Sequence, residues 1–180
     1  MHERRFSAEI ERLRSPERLE RLELNRVLDL CLEGKRVSSV LDIGTGSGVF
    51  AEGFVNRGLA VTGIDPNPEM LVVSKKHVPG AEFHQATAES MPFDDKSFDL
   101  VFMGLVLHET DDLEKALSEC KRCARESVVA LEWPYKQEES GPPLEHRLKS
   151  EDVESIAKKA GFESVSVIAL KQLLLYRFQI

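Results

Sequence analysis

An excess of positive charge is the first thing this sequence lacks. Its 24 Lys and Arg are outnumbered by 31 Asp and Glu, for a formal net charge of -7. Broad surfaces for nucleic acid or anionic membrane need net positive potential, so neither partner is expected. Long apolar runs are also missing, and no stretch approaches the roughly 20 residues of a membrane span. The opening residues, MHERRFSAEIERLR, are charged and lack the apolar stretch of a secretory signal. Cysteine is scarce and odd in number, three in all. That argues against a disulfide framework and points to a reducing, cytoplasmic location. Cys120 and Cys123 form a C-x-x-C, but a zinc site would need a partner pair, so no metal is expected.

What remains is an ordinary globular composition, 42% hydrophobic and 31% charged over 180 residues. That length suits one domain spanning 1–180. Residues 1–33 read as a helical segment preceding an α/β core over 38–180. Ser15-Pro16-Glu17 is a helix start, with a capping hydroxyl, a first-turn proline and an acid at the positive end. Leu19, Leu22, Val27, Leu28 and Cys31 follow at helical spacings, and Gly34 is a stop. The arginines and glutamates between them read as a solvated face.

Alternation then begins. Short apolar runs at 40–43, 60–64, 81–84, 98–103 and 128–131 predict strands. Helical stretches are expected at 49–57, 69–77 and 113–125. Strand and helix in alternation predict a parallel sheet covered on both faces. Ser150 is expected to cap a helix running to Gly161. The runs ESVSVIAL and QLLLYRFQI, joined by a short polar turn at Lys171, must be antiparallel neighbours, because a parallel return needs about a dozen residues. LLLYRF reads as a buried strand, and 139–146, ESGPPLEH, as a long loop.

The densest signal is VLDIGTGSGVF at 40–50. It reads as a strand, a bare turn and a helix, with Asp42, Gly44, Gly46 and Gly48 in a D-x-G-x-G-x-G pattern. Ligands of parallel sheets bind outside the carboxyl ends of the strands, where a glycine turn exposes backbone N–H groups. Position 49 is Val, so the G-x-G-x-x-G dinucleotide fingerprint fails. There is no phosphate-loop Gly-Lys-Ser/Thr, and Ser47 lacks the flanks of a nucleophile elbow. A carboxylate at Asp42 suits a ligand bearing an ammonium group, or it caps the helix that follows. Asp65 closes the second strand, where a carboxylate can accept from both hydroxyls of a ribose.

With VLDIGTGSG, then GIDPNPEML, then ATAESMPFDDKSFDLVFMGLVLHETDD in order, the chain resembles the class I S-adenosylmethionine-dependent methyltransferases. Within them it looks like the type 11, small-molecule group, from about Pro16 to the C-terminus. The resemblance implies a Rossmann-like three-layer sandwich with a seven-stranded, mostly parallel sheet, order 3-2-1-4-5-7-6 and strand 7 antiparallel. It also implies S-adenosyl-L-methionine as cofactor. Gly44 and Gly46 would approach its methionine part, and Asp42 its ammonium. Asp65 would hold the ribose, with Met70 near the adenine and Ala88 and Glu89 along the adenine edge. Gly104 and Leu105 would border the reacting methyl. Thr45, Pro66 and Thr87 complete the implied cofactor set, and the N-terminal helix would close over it. The chain departs from the family at Thr87, where Asp is frequent, and before the fifth strand, where a Pro-Gly-Gly turn is absent.

Other residues have plainer readings. Cys120 and Cys123 fall along a helix that packs, Cys31 looks like core, and His84 is structural. His108 is the one catalytic candidate: a general base, a pocket wall or a helix cap. Glu109, Glu132, Trp133, Tyr135, His146 and Arg147 are expected on the same rim as surface or wall. The expected activity is direct methyl displacement onto a small-molecule acceptor, and a homodimer is allowed. Two other readings stay open. One is a silent S-adenosylmethionine-binding module or partner subunit, which an acceptor panel would separate from an enzyme. The other is a nicotinamide-dependent oxidoreductase, which tighter NAD binding would favour.

Overall fold

A computed structural model describes residues 12–180; part of the helical segment expected over 1–33 lies outside them. Ser15 begins the first helix, α1 (Pro16–Leu22), by accepting the N–H of Arg18 on its hydroxyl. The sequence predicts continuity to residue 33, but the chain breaks at Glu23, whose φ of 46° is left-handed. α2 (Leu24–Leu32) follows it. The break has a tertiary cause. Glu23 Oε2 accepts the N–H of Lys171 at 2.7 Å, which ties the helix pair to the C-terminal hairpin.

The sheet contains β1 (Ser39–Ile43), β2 (Ala60–Asp65), β3 (Glu82–Gln85), β4 (Phe98–Gly104), β5 (Ala124–Glu132), β6 (Ser164–Ala169) and β7 (Leu174–Gln179). Their order is β3-β2-β1-β4-β5-β7-β6, with β7 antiparallel to both neighbours. The expected topology is the one observed. Neighbouring residues on a strand face opposite ways, and the core divides accordingly. Val40, Leu100 and Phe102 pack with α2 and with α3 (Val49–Val55). Leu41, Val101 and Met103 pack with α5 (Leu113–Cys123) and α6 (Ser150–Lys159). The remaining helix, α4 (Pro68–His77), adds Leu71 to the first cluster.

Local corrections have clear causes. Helix α5 stops at Cys123 and passes directly into β5, whose first residue Ala124 is extended, so the missing Pro-Gly-Gly turn is not replaced by another turn. Lys149, not Ser150, sits at the cap of α6. Ser150 is its first helical residue, and its hydroxyl lies 2.9 Å from the hydroxyl of Tyr176, a fully buried ring that needs a polar partner there. The three cysteines are buried and free, as the plain reading held, and burial pushes the Cys31 thiol up to about 12. His84 is half-exposed on β3, its ring edge-on to Phe93. Among the described residues no helix is long and apolar enough to cross a membrane, and no His, Cys, Asp or Glu group could hold a metal.

Asp99 ties three strands together at the end of the sheet away from the glycine turn. Its Oδ2 accepts the N–H and hydroxyl of Ser38 at 2.9 and 2.6 Å and the N–H of Ser39 at 3.1 Å, while Arg125 pairs with Oδ1. The Ser38 hydroxyl leads the groups that hold this carboxyl well below the usual range. A depressed pKa stabilises the fold above the unfolded value and ceases to do so as pH falls through it. Asp99→Ala should lower the urea-unfolding free energy by about 2–4 kcal/mol at pH 7, because four donors lose a buried partner. A loss under about 0.5 kcal/mol would assign the cluster no structural role.

Candidate functional site

The strand order reverses between β1 and β4, and a cavity of about 740 Å³ opens at the carboxyl ends there. That volume suits a drug-sized or cofactor-sized ligand. Every cofactor residue expected from the sequence lines it except Asp42. β1 delivers Gly44, Thr45 and Gly46, and β2 delivers Asp65 and Pro66, with Met70 one turn into α4. Thr87, Ala88 and Glu89 come from the loop after β3, and Gly104 and Leu105 from the end of β4.

The glycines meet two different demands. Gly44 has φ +63°, and a Cβ there would lie 2.4 Å from Cγ2 of Val106. Gly46 has φ +53°, where a Cβ would meet only the Gly44 carbonyl oxygen at 3.9 Å, and its N–H donates to Asp65 Oδ2 at 2.9 Å. The other Asp65 oxygen accepts from Asn67 N–H, also at 2.9 Å. One carboxylate therefore joins the glycine turn to the head of α4. Burial raises its pKa, against those two donors.

Asp42 lies beneath the turn, 1% exposed. Its Oδ2 accepts the hydroxyl of Thr45 at 2.7 Å, and the N–H of Ala51, in the first turn of α3, also acts on the carboxyl. The carboxyl thus braces the glycine turn from beneath. Burial pushes its carboxyl up to about 7, opposed by Thr45 and Ala51. A raised acid binds more protons folded than unfolded, so its contribution to stability is lost as pH rises through the window from about 4 to 7. Urea midpoints should fall from pH 5 to pH 8, and Asp42→Asn should flatten that slope. Asp65 and His108 act in the same direction, so only the difference between variant and wild type reports Asp42. An unchanged slope in the variant would remove it from the account.

β4 and β5 bring together two residues 24 positions apart. His108 sits on a short 3-10 turn, Leu107–Glu109, after β4, and Glu132 ends β5. Both oxygens of Glu132 face His108 Nδ1, at 2.8 and 2.9 Å. A carboxylate can only accept, so Nδ1 carries the proton and the lone pair lies on Nε2. Glu132 is 1% exposed, and the N–H groups of Trp133 and His108 also donate to it, at 2.7 and 3.2 Å. Burial alone would lower the His108 pKa, but the hydrogen bond and charge of Glu132, with the charge of Glu109, raise it above 6.5. His108 and Trp133 line the cavity.

The sequence named Glu132 only as a rim residue. No spacing rule pairs 108 with 132, because their contact follows from adjacent parallel strands ending level. The solvated-face reading of the N-terminal arginines is also corrected: Arg18 and Arg21 are half-buried on the cavity wall. Arg147 is buried rather than on the rim. It donates to the carbonyls of Ser140, Pro142 and Pro134 and lies over the Trp133 ring, 5.3 Å from its centre, which shapes the loop bordering the cavity. Tyr135 stays exposed, as expected.

A glycine turn and an acid at neighbouring strand ends, beside a reversal of strand order, define an α/β nucleotide-binding site. The methyltransferase-domain family model matches residues 41–131, just over half the chain. The chain belongs to that family, the type 11 group of class I S-adenosylmethionine-dependent methyltransferases. It is 41% identical over 92 residues to a demethylmenaquinone methyltransferase of Chlorobaculum tepidum, an alignment covering 51% of this chain and 38% of that protein. The chain thus spans well under half the length of such relatives. A S-adenosylmethionine-dependent methyltransferase from Aquifex aeolicus superposes with a TM-score of 0.84 at 27% identity, covering 95% of this chain and 96% of the other. Phosphoethanolamine N-methyltransferase 2 of Haemonchus contortus, solved with S-adenosyl-L-methionine, shares the fold at TM-score 0.71 and 24% identity, covering 82% of this chain and 38% of the other.

Proposed function

We propose that this protein is an S-adenosylmethionine-dependent methyltransferase acting on a small molecule that gives up a proton as it is methylated, with His108 as general base. The observation that carries this is the shared cavity. The glycine turn and Asp65 open on the same space as a histidine whose Nδ1–H is held by a buried glutamate. The residues suit the cofactor: Asp65 offers oxygens to a ribose, and the bare backbone at Gly44 and Gly46 allows close approach. Asp42 contributes through the turn it anchors. When bound, the cofactor supplies an electrophilic methyl on a sulfonium, whose C–S electron pair leaves with the sulfur.

The chain's own task is to align and to deprotonate. Phe50, Leu105 and Trp133 wall the cavity with apolar surface and keep water from the nucleophile. Holding the reacting partners in line is worth up to about 7–11 kcal/mol. His108 Nε2 accepts the acceptor's proton, and Glu132 stabilises the imidazolium that results. Three buried free thiols suit a reducing compartment, in keeping with the cytoplasm.

Calorimetric titration with S-adenosylmethionine and its demethylated product, followed by turnover with a panel of hydroxyl-bearing acceptors, tests the reading. Micromolar binding of both with turnover supports it. Binding without turnover on any acceptor favours the silent module, and no binding of either sinks it.

A further inference from the structure

The N-terminal arginines divide into two kinds. Arg14 donates to the Ser47 carbonyl at 2.7 Å and pairs with Glu52, and Arg26 pairs with Glu23. Arg12, Arg18 and Arg21 instead line the cavity, and among the described residues their guanidinium groups make no hydrogen bond and no ion pair. Arg18 and Arg21 stand three residues apart on α1, a spacing that puts them on one face, where like charges repel. Burial lowers the Arg18 pKa, and the charges of Arg12 and Arg21 lower it further, while Glu109 opposes them.

Flexible cations left to themselves would spread into solvent. These are fixed on the wall by the anchoring around them. Arg14 holds the chain to the glycine turn, Leu22 is buried in the core, and Glu23 is bonded to the hairpin. Asp65, Glu89, Glu109 and Asp111 line the same cavity, and none of them is paired with these guanidiniums. Asp65 accepts from Gly46 and Asn67, Glu89 from Asp111, and Glu132 from His108. Glu109 is the acid whose charge acts on Arg18, and it also faces His108 Nε2 at 3.8 Å. Three guanidiniums thus stand on one wall with no ion-pair partner among the described residues, in a protein whose net charge is -7.

We propose that Arg12, Arg18 and Arg21 form an oxyanion subsite that takes a carboxylate or phosphate group carried by the methyl acceptor. This rests on the methyltransferase reading for the word acceptor, not for the anion. The guanidinium fork matches both oxyanions in bidentate geometry. The cofactor's own carboxylate is the competing occupant, but it arrives with an ammonium and a sulfonium, a net cation that adds to the repulsion. An anionic acceptor removes it. Neutral and cationic acceptors are then selected against by the same three charges.

The test titrates benzoate, phenyl phosphate and neutral benzamide into free protein and into protein saturated with S-adenosylhomocysteine. Wild type is compared with Arg18→Gln, Arg18→Gln/Arg21→Gln and Arg18→Lys, each checked for native circular dichroism. At least one anion should bind wild type about tenfold or more tighter than benzamide, and the double variant should lose about tenfold or more of that affinity. Arg18→Lys should retain part of it, and it decides the matter if the glutamine variants fail to fold. S-adenosylhomocysteine affinity should stay within about threefold throughout. The tighter anion identifies the group, carboxylate or phosphate. The subsite is overturned if benzamide binds as well as the anions, if the substitutions leave anion affinity unchanged, or if cofactor-product affinity falls in parallel, which would give the arginines to the cofactor's carboxylate. Anion binding without S-adenosylhomocysteine binding sinks the methyltransferase reading and leaves the subsite standing. The reverse result sinks the subsite alone.

Discussion

Replacing His108 by alanine should lower kcat by about a hundred- to ten-thousandfold, the range that a positioned general base contributes. Affinity for S-adenosylmethionine should hardly move, because the imidazole is assigned to the acceptor's proton. The wild-type rate should rise with pH and level off above the raised His108 pKa, since only the neutral ring accepts a proton. Glu132→Gln is the sharper experiment. Glu132 is a positioning residue: it fixes which ring nitrogen bears the proton and compensates the imidazolium. Glutamine keeps the shape, removes the charge and can present an N–H to the ring. The pH–rate midpoint should therefore shift to lower pH and kcat should fall, with KM changing less. A purely structural glutamate would lower stability and leave the midpoint in place. If His108→Ala retains full kcat across the pH range, the acceptor needs no base, and amine or thiolate acceptors replace hydroxyls as the candidates.

The second large effect concerns Asp65. Asp65→Ala should weaken S-adenosylmethionine and S-adenosylhomocysteine binding by about ten- to a hundredfold, roughly 1.4–2.7 kcal/mol. Two losses add. The ribose hydroxyls lose their acceptor, and the N–H groups of Gly46 and Asn67 lose the carboxylate that holds the turn against the head of α4. Asp65→Asn separates them, because the amide oxygen can still accept from one N–H and its NH₂ cannot accept from a ribose hydroxyl. An affinity loss in the asparagine variant close to that of alanine assigns the effect to the ligand. Recovery toward wild type assigns it to the turn. Unchanged binding in both would remove Asp65 from the cofactor site.

Much of this molecule was legible in its residues because the signals are local. Alternating apolar runs and helical spacings decide strand and helix within a few residues, and a hairpin too short for a crossover had to be antiparallel. The bare turn after β1 and the acid ending β2 pointed to a ligand because parallel strands deliver their carboxyl ends to one edge. The strand order came from a family resemblance in the ordered motifs. Spacing alone would have left several orders open.

Tertiary structure decided what depends on distance between remote positions. Asp42 carried two readings, ligand acid or helix cap, and only the fold shows its carboxyl buried beneath the turn and bonded to Thr45. Glu23 looked like one more charge on a long helix until the hairpin at Lys171 supplied an N–H that bends the chain there. His108 and Glu132 became a pair only because β4 and β5 run parallel and finish side by side. Arg18 and Arg21 have the spacing of a solvated face, and the packing of α1 over the strand ends turned that face into a wall. Charge and periodicity along a chain say which side chains share a face. Only the packed fold says whether that face meets water or a site.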